Sequence, residues 1–334
     1  MNWRVAIAET AATFDVAPGE AVLQAAMRQG VALKHECTFG GCGTCRVKVL
    51  EGKVAYEEMP LALSPEEAAA GYALMCQARA LSDLVISTGP RAQVPAPQLC
   101  TAVMRGTRQL ATNIVQLNLE IEADDFDYVP GQHMNILLDD GGARSFSMAS
   151  VRGPGNAVDF HVRQIPGGRF TSQALPRLAP GDRLAVEAPL GEFRLQNDDY
   201  RQLLFVATGT GIAPIKCMLE SLLDDPDCPP VSLYWGMRNE ADLYLAGEIA
   251  GWGDRLYEFN FVPVLSRAGD AWSGRRGHVQ DAVAQDFGDL SDHSIYLCGS
   301  PSMIADAKRR FAALSASLDH IHADGFSFHH EVAA

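Results

Sequence analysis

Four of the eight cysteines in this 334-residue chain stand at a spacing suited to iron chemistry. They follow the pattern C-x4-C-x2-C-x30-C and are Cys37, Cys42, Cys45 and Cys76. Thiolates are soft ligands that suit iron, and this spacing is typical of a 2Fe–2S cluster. The three glycines between Cys37 and Cys45 let the backbone approach such a cluster and direct N–H groups at its sulfur atoms. A zinc site, the alternative, usually pairs two short C-x2-C hooks, whereas the fourth cysteine here stands alone.

A second chemical signal is the glycine turn Gly209-Thr-Gly211-Ile-Ala-Pro214, which follows an apolar strand and opens a helix. Its glycines let backbone amides and the helix N-terminus approach a pyrophosphate. The pattern is G-x-G-x-x-P and not the Rossmann G-x-G-x-x-G, so alone it indicates little.

A third signal lies between the first two, in Arg144-Ser-Phe146-Ser147 and in Gly167-Gly168-Arg-Phe-Thr171. An arginine beside hydroxyl groups on a strand can clamp a pyrophosphate, and a glycine pair can offer free N–H groups to phosphate. Taken singly, a Gly-Gly pair is more often a turn, and an arginine is more often a solvated surface charge.

The elements that must position these residues fall into three segments. We predict domains at residues 1–90, 100–198 and 199–334, with a Pro-rich linker at 91–99. In the first, we expect a strand at 3–7, a helix at 20–29 ended by Gly30, and strands at 45–50 and 84–87. In the second, short strands at 102–104, 114–119, 134–138, 157–162 and 183–187 predict an antiparallel barrel. In the third, strands at 203–207, 231–235, 261–265 and 295–298 alternate with helices and predict a parallel sheet.

Composition excludes several classes of function. The net charge of −14 argues against nucleic acid as a partner. No apolar run is long enough to predict a membrane span, and the N-terminus does not resemble a signal peptide. The other four cysteines, Cys100, Cys217, Cys228 and Cys298, are scattered, so we expect a reducing cytoplasm and not a disulfide framework.

Together and in this order, the motifs resemble the ferredoxin–NADP reductase superfamily preceded by a plant-type ferredoxin domain. The superfamily's flavin motif is R-x-Y-S, and here Phe146 replaces the tyrosine, which keeps a ring to stack on the flavin but removes a hydroxyl hydrogen bond. The order of cluster, flavin and nicotinamide segments resembles the reductase components of bacterial ring-hydroxylating dioxygenases. In particular, the chain resembles the terephthalate, benzoate and naphthalene dioxygenase reductases.

The resemblance implies a multidomain α+β and α/β fold: a β-grasp ferredoxin domain, a flavin-binding β-barrel and an α/β nicotinamide-binding domain. It also implies FAD contacts and coenzyme contacts. The FAD contacts would be Arg144, Phe146, Ser147, Gly167, Gly168 and Thr171, and the coenzyme contacts Gly209, Gly211, Pro214, Arg238, Asp242 and Gly299. Cys298 in C-G-S-P-S-M would hold the nicotinamide sterically, and Phe326 would lie near the flavin. The alternative for Cys298 is a small buried residue that closes a strand.

Two questions have opposing signals in the sequence. A carboxylate after the second strand favours NADH and an arginine there favours NADPH. Glu240 and Asp242 support the first, Arg238 and Arg267 the second, and we predict NADH. The C-terminal histidines, His320, His322, His329 and His330, could suggest a metal, but their spacing predicts a tail without one.

The implied function is electron transfer from NAD(P)H through FAD and a 2Fe–2S cluster to a terminal oxygenase of Rieske type. The nicotinamide gives up two electrons at once, a flavin can accept both, and the cluster accepts one at a time. We expect the oxygenase to dock on the exposed rim of residues 37–45. The reductase of a soluble di-iron monooxygenase or of a deoxysugar dehydrase remains an alternative with the same chemistry. A non-enzymatic redox sensor is the alternative of another class, and it predicts negligible turnover of NAD(P)H.

Overall fold

The cysteine-bearing segment contains two sheets and two short helices. A computed structural model describes residues 2–35, 37–89, 95–196 and 199–326 of the chain. The strands up to residue 89 are β1 (Trp3–Ile7), β2 (Thr13–Val16), β3 (Arg46–Glu51), β4 (Val54–Ala55), β5 (Tyr72–Leu74), β6 (Arg79–Ala80) and β7 (Leu84–Ser87). The helices are α1 (Val22–Arg28) and α2 (Pro65–Ala69). Five strands form a mixed sheet in the order β2-β1-β7-β3-β5, and β4 pairs with β6.

Alternating side chains explain the first strands of this sheet. Val5 and Ile7 on β1 and Phe14 and Val16 on β2 are buried, while their neighbours in sequence are more exposed, as expected when one strand face covers a core. The predicted strand at 3–7 is confirmed, and the predicted helix at 20–29 is confirmed as the shorter α1. Gly30 follows this helix with a φ of 71°, a left-handed conformation that glycine adopts readily.

The middle segment is an antiparallel sheet of six strands. They are β8 (Gln98–Ala111), β9 (Ile114–Glu122), β10 (His133–Leu137), β11 (Ala143–Ser147), β12 (Ala157–Arg163) and β13 (Arg183–Leu190), in the order β11-β10-β13-β8-β9-β12. A further antiparallel bridge joins Met148, just after β11, to Phe160 on β12, so the two edge strands also meet. The strand predictions at 102–104, 114–119, 134–138, 157–162 and 183–187 are confirmed, with β8 much longer than expected.

The last segment alternates strands and helices. Its elements are β14 (Gln202–Thr208), α3 (Ile212–Ser221), β15 (Val231–Met237), α4 (Ala246–Ala250), β16 (Asn260–Leu265), β17 (Arg275–Arg276), α5 (Val279–Asp286), β18 (His293–Gly299), α6 (Pro301–Ala312) and β19 (Ile321–Gly325). The sheet has the order β17-β16-β15-β14-β18-β19, and β14 pairs in parallel with both β15 and β18. The predicted strands at 203–207, 231–235, 261–265 and 295–298 are confirmed.

The chain divides into two units, which we call the first and the second unit. The first contains the described residues up to 89 together with 300–318 and 323–326, and the second contains 95–299 and 319–322. In this division by contacts, helix α6 falls with the cysteine-bearing segment, although it follows the predicted coenzyme-binding strands in sequence. Residues 91–94 of the predicted linker and His329 and His330 lie outside the described residues. Among the described helices, none combines the length and the apolar character needed to cross a bilayer. None of the eight cysteines, all of which lie within the described ranges, forms a disulfide.

Candidate functional site

The four predicted cluster cysteines lie in the first unit as two pairs. The backbone N–H of Cys42 donates to Cys37 Sγ over 3.3 Å, and the N–H of Cys76 donates to Cys45 Sγ over 3.5 Å. The hydrogen bond from the Cys42 thiol lowers the pKa of Cys37 to about 6, and the thiol of Cys45 lowers that of Cys76. The two pairs adjoin each other, since the backbone N–H of Gly40, which lies between Cys37 and Cys42, hydrogen bonds with Cys76.

Pairing of the sulfurs fits a binuclear cluster, in which four thiolates serve two irons. Within the described ranges, no three His, Cys, Asp or Glu side chains are gathered in the manner that a single metal ion requires.

Glycines shape the backbone of the loop from Cys37 to Cys45. Gly40 has a φ of 78°, and a Cβ at this position would stand 2.8 Å from Pro60 Cβ. The backbone N–H groups of Phe39 and Gly41 contribute to the lowered pKa of Cys37. The loop thus directs amides at sulfur, as the sequence analysis expects of a cluster site.

The rim of this loop is exposed and apolar, whereas the sulfurs are mostly covered. Phe39, Met59 and Leu61 are 50%, 57% and 58% exposed. Ala62, which follows Leu61, donates its N–H to the carbonyl of Gly40 over 3.0 Å, which keeps the 59–62 segment beside the loop. Cys42, Cys45 and Cys76 are buried beneath.

In the second unit, strand β11 carries the predicted flavin residues Arg144, Phe146 and Ser147. Strand β11 lies at the edge of its sheet, where β10 positions it by pairing Ile136 with Arg144 and Met134 with Phe146. The guanidinium of Arg144 donates to the carbonyl of Ala143 over 2.8 Å and forms no ion pair with any described residue. An uncompensated arginine on an edge strand fits a bound pyrophosphate.

The remaining predicted flavin residues gather around a tight turn beside β11. The ring of Phe146 packs against Phe170 with centroids 5.3 Å apart. A Cβ on Gly168 would fall on the hydroxyl of Thr171 and stand 3.0 Å from the Ile165 carbonyl, so the turn needs glycine there. Thr171 is buried and its hydroxyl accepts the N–H of Ile165 over 3.2 Å, a contact within the turn. Gly167, with a φ of 75°, completes the turn.

Arg169 is a residue of this turn that the sequence analysis did not single out. A Cβ on Gly142 would stand 3.8 Å from Arg144 Nη1 and 3.9 Å from Arg169 Nη1, so the two guanidinium groups approach the same glycine. Arg169 pairs with Asp140, unlike Arg144.

The predicted coenzyme turn is packed backbone against backbone. A Cβ on Gly211 would fall on the carbonyl oxygen of Cys298 and stand 2.6 Å from its carbonyl carbon. A Cβ on Gly299 would fall on the Thr208 hydroxyl and stand 2.9 Å from the Thr208 carbonyl oxygen. Gly209 has a φ of 59° and Gly299 a φ of 142°. The ends of β14 and β18 therefore meet closely only because glycines occupy these positions.

Cys298 and Pro214 flank this meeting point. The side chain of Cys298 is fully buried at the end of β18, opposite Ala207 of β14. Pro214 is buried in the first turn of α3, where the missing N–H of proline costs no helical hydrogen bond. Both residues thus lie beside the glycines of the predicted coenzyme turn.

The predicted adenosine-side residues lie at the ends of the next two strands. Arg238 and Arg267 are exposed, and the N–H of Arg267 donates to the Arg238 carbonyl over 2.9 Å. Asp242 is engaged locally, since its carboxylate accepts the side-chain amide of Asn239 over 3.1 Å and caps a short helical turn. Asp242 is one of the two carboxylates that favour NADH, and its carboxylate is therefore already hydrogen bonded within the protein.

A buried chain of aromatic residues, missed by sequence reasoning, connects the middle sheet to the coenzyme turn. His161 of β12 lies 3.2 Å from the hydroxyl of Tyr244, and Tyr244 packs edge-on against Trp235 with centroids 5.3 Å apart. Trp235 donates its ring N–H to the Gly209 carbonyl over 3.0 Å. Burial lowers the pKa of His161 to about 3, so the imidazole is neutral. The sequence pattern of β12 predicts a strand but does not predict that His161 contacts Tyr244.

Near the C-terminus, the structure describes Phe326, His320 and His322. Gly325, the residue before Phe326, packs against the cluster loop of the first unit, where its Cβ would stand 3.0 Å from the Gly41 carbonyl oxygen. In the second unit, His320 hydrogen bonds with Asp199 over 3.0 Å, and His322 stacks on Tyr296. The predicted place of Phe326 near the flavin stays a prediction.

Three protein-family models match successive parts of the chain. The 2Fe-2S iron-sulfur cluster binding domain matches residues 5–81, the oxidoreductase FAD-binding domain 106–195 and the oxidoreductase NAD-binding domain 205–309. The chain is 34% identical over 98% of both chains to the reductase component 2 of terephthalate 1,2-dioxygenase from Comamonas sp.. It belongs to the family of iron–sulfur flavoprotein oxygenase reductases.

Other relatives of this reductase serve different oxygenases. It is 32% identical to the xylene/toluene monooxygenase electron transfer component of Pseudomonas putida, over 94% of this chain and 90% of that one. The solved structure of the Amycolatopsis cytochrome P450 reductase GcoB has a TM-score of 0.71 and 32% identity, and the match covers 97% of this chain and 98% of that one. The reductase thus has a ferredoxin reductase-like FAD- and NAD-binding fold together with a 2Fe–2S domain.

Its cofactors follow from the matched domains: a 2Fe–2S cluster, FAD and NAD(P)H. The reductase is an NAD(P)H-dependent iron–sulfur flavoprotein oxidoreductase that transfers electrons. The motif order and the family resemblance recognised in the sequence are confirmed.

Proposed function

We propose that this reductase supplies electrons to an aromatic-ring-hydroxylating dioxygenase of Rieske type. The observation that carries the proposal is the 34% identity, over 98% of both chains, to a terephthalate 1,2-dioxygenase reductase component. A soluble di-iron monooxygenase is the second candidate partner, supported by the similarity to a monooxygenase electron transfer component.

We assign the cluster ligands by the observed pairing of sulfurs. Cys37 and Cys42 would ligate one iron, and Cys45 and Cys76 the other. The amide of Cys42 that points at Cys37 and the amide of Cys76 that points at Cys45 would stabilise the charge on the thiolates. Burial of Cys42, Cys45 and Cys76 would keep water from the cluster, while the apolar rim of Phe39, Met59 and Leu61 would meet the oxygenase.

We assign FAD to the edge strand β11 and the neighbouring turn. Arg144 would clamp the pyrophosphate, Phe146 would pack on the flavin, and Ser147 would lie beside it. Gly167, Gly168 and Thr171 would form a turn whose tight backbone leaves room for phosphate. The unpaired guanidinium of Arg144 supports this assignment, because a phosphate would supply the anion that it lacks.

We assign the coenzyme to the turn at Gly209, Gly211 and Pro214. Gly299 and Cys298 would bound the nicotinamide pocket, and Arg238 and Asp242 would lie toward the adenosine. NADH stays the predicted coenzyme, although the engagement of Asp242 by Asn239 weakens that prediction. When bound, the nicotinamide supplies a hydride, FAD accepts two electrons, and the 2Fe–2S cluster carries one electron at a time. The side chains contribute position, shielding from water and neutralisation of phosphate charge.

The proposed domains are 1–90 for the cluster, 100–198 for FAD and 199–334 for the coenzyme, joined by a linker at 91–99. Each family match lies inside one of these ranges. The sheet order β2-β1-β7-β3-β5 with α1 supports a β-grasp fold for the first. The bridge between Met148 and Phe160 supports closure of the middle sheet into a barrel. We propose a reducing cytoplasm as the location, since thiols and the cluster persist there.

The test pairs the purified holoprotein with purified oxygenases. The reductase should support NAD(P)H-dependent product formation by a Rieske dioxygenase and much less by a di-iron hydroxylase at equal cluster content. Product formation with the di-iron hydroxylase but not with the Rieske dioxygenase would favour the second candidate partner. Negligible reduction of ferricyanide by NADH and by NADPH would instead favour the redox sensor. The ratio of kcat/KM for the two coenzymes decides which one is used.

A further inference from the structure

A buried ion cluster in the first unit joins residues distant in sequence. We call it the Glu67 triad, after Arg46, Glu67 and Lys308. Lys308 Nζ donates to both carboxylate oxygens of Glu67, over 3.0 and 3.2 Å, and Arg46 Nη1 donates to Oε1 over 2.5 Å. Glu67 is 0% exposed and Lys308 5% exposed. Lysine and glutamate are almost never this deeply buried unless they are paired.

The local fold places the Glu67 carboxylate. Glu67 and Ser64 form a capping box at the start of α2: the Ser64 N–H donates to Glu67 Oε2 over 2.9 Å, and the Glu67 N–H donates to Ser64 Oγ over 3.1 Å. Burial raises the pKa of the carboxyl, but Lys308 and Arg46 outweigh it and hold the pKa below its usual value. The carboxylate is therefore a fixed anion between two cations.

Lys308 comes from a helix whose flanking chain belongs to the other unit. Helix α6 follows Gly299, and residues 319–322 come after it, both in the second unit. The next residue in α6, Arg309, is exposed and pairs with Asp306 of the same helix. Lys308 thus differs from its neighbour in sequence, because it lies on the buried face with Ile304, Ala307 and Phe311.

The triad also adjoins the cluster loop. Arg46 follows Cys45 directly, and Lys308 Nζ donates to the Ala62 carbonyl over 3.4 Å. Ala62 in turn donates its N–H to Gly40 of the loop over 3.0 Å. Two hydrogen bonds of Ala62 therefore link Lys308 to the cluster loop.

We propose that Lys308 and Glu67 are positioning residues for electron delivery to the cluster. They hold α6 on the cysteine-bearing segment, which ties the cluster loop to a helix whose two ends continue along the chain into the second unit. Apolar side chains of similar volume would stabilise this contact as well or better, whereas an ion pair with directed hydrogen bonds fixes its geometry. The proposal rests on the proposed route of electrons through the cluster.

The test compares Lys308→Met with Arg309→Met in the full-length holoprotein. Two rates are measured, reduction of ferricyanide, which can take electrons before the cluster, and reduction of cytochrome c, which needs the cluster. At unchanged FAD and iron content, Lys308→Met should lower the cytochrome c rate about tenfold or more while the ferricyanide rate holds, since ångström-scale misplacement has effects of this order. Hydrogen exchange in residues 301–312 should accelerate in the same variant. Arg309→Met should change neither.

Two further variants keep the proposal falsifiable if Lys308→Met does not fold. Glu67→Gln retains the capping box but removes the anion, and it should lower the same rate ratio. Lys308→Arg keeps the positive charge, so its ratio of the cytochrome c rate to the ferricyanide rate should be close to that of the natural protein. An unchanged ratio with unchanged exchange in Glu67→Gln and Lys308→Met would overturn the proposal. If the natural protein still reduces cytochrome c after its cluster has been removed, the proposed function, in which electrons pass through the cluster, is refuted.

Discussion

The coenzyme turn in the second unit and the cluster loop in the first are both rich in glycine, yet they are built differently. In the turn, Gly211 and Gly299 let two strand ends touch, and a methyl group at either would collide with backbone atoms. In the loop, glycines bend the chain around three thiols that, together with Cys76, supply the chemistry. The turn therefore depends on shape and the loop on its ligands. Damage to the turn should stop all activity, whereas damage to the loop should stop only electron transfer beyond the flavin.

The largest effect should come from filling the coenzyme turn. Gly211→Ala places a methyl group against the Cys298 carbonyl, which is backbone and cannot move aside cheaply. We expect kcat/KM for NAD(P)H to fall by about a hundredfold or more with ferricyanide and cytochrome c alike, as misplacement of bound reactants does. Gly247→Ala, in open space on α4, is the matched control. A ferricyanide rate near that of the natural protein would show that the turn does not hold the coenzyme.

Loss of the flavin clamp should rank next. Arg144→Ala removes the guanidinium that has no protein anion as its partner. The variant should release FAD during purification, measured as flavin per chain, and keep its cluster absorbance. Added FAD should restore part of the activity with both acceptors. Arg105→Ala, an exposed arginine paired with Glu120 on the same sheet, should retain FAD. A fully loaded Arg144→Ala protein would contradict the assignment.

Mild acid should lower the stability of the second unit but not that of the first. The pKa of His161 is lowered to about 3 from 6.5. Between these two values, the imidazole is protonated in the unfolded chain but neutral in the folded second unit. Stability of that unit should fall by about 1.4 kcal/mol per pH unit between these values. The Glu67 carboxyl has a lowered pKa, so its stabilisation is fully present above 4.5 and is lost only at lower pH.

Urea unfolding at pH 7 and pH 5 tests this difference. Release of FAD reports on the second unit, and bleaching of the cluster reports on the first. Only the FAD midpoint should move to lower urea at pH 5. His161→Phe should remove the part of the shift that His161 causes and leave that of His293, whose pKa burial also lowers. Equal shifts of both midpoints would contradict the separate response to acid.

The smallest effect should come from Tyr244→Phe. This change removes the hydrogen bond to His161 but keeps the ring against Trp235. We expect a loss of about 1 kcal/mol in the free energy of unfolding, typical of one hydrogen bond, with little change in either rate. A large fall in the ferricyanide rate would mean that the tyrosine hydroxyl orders the coenzyme turn directly.

Spacing and periodicity in the sequence predict only part of this structure. The cluster cysteines, the coenzyme turn and most strands of the two larger sheets follow from local pattern. Strand β11, which carries Arg144, was not predicted, because its alternation of polar side chains and one aromatic shows no apolar face. Lys308 reads as an ordinary surface lysine on an amphipathic helix, and its partner lies 241 residues away. Contacts of this kind arise only when distant segments fold together.

The central claim is that electrons leave this reductase through the four-cysteine cluster. Cys42→Ser tests it most directly, with Cys228→Ser, a buried cysteine of the second unit, as control. Both variants and the natural protein are assayed with NAD(P)H and either ferricyanide or cytochrome c. We predict that Cys42→Ser loses cytochrome c reduction and largely keeps ferricyanide reduction, while Cys228→Ser keeps both. Equal loss of the two activities in a Cys42→Ser protein that retains its FAD would contradict the account.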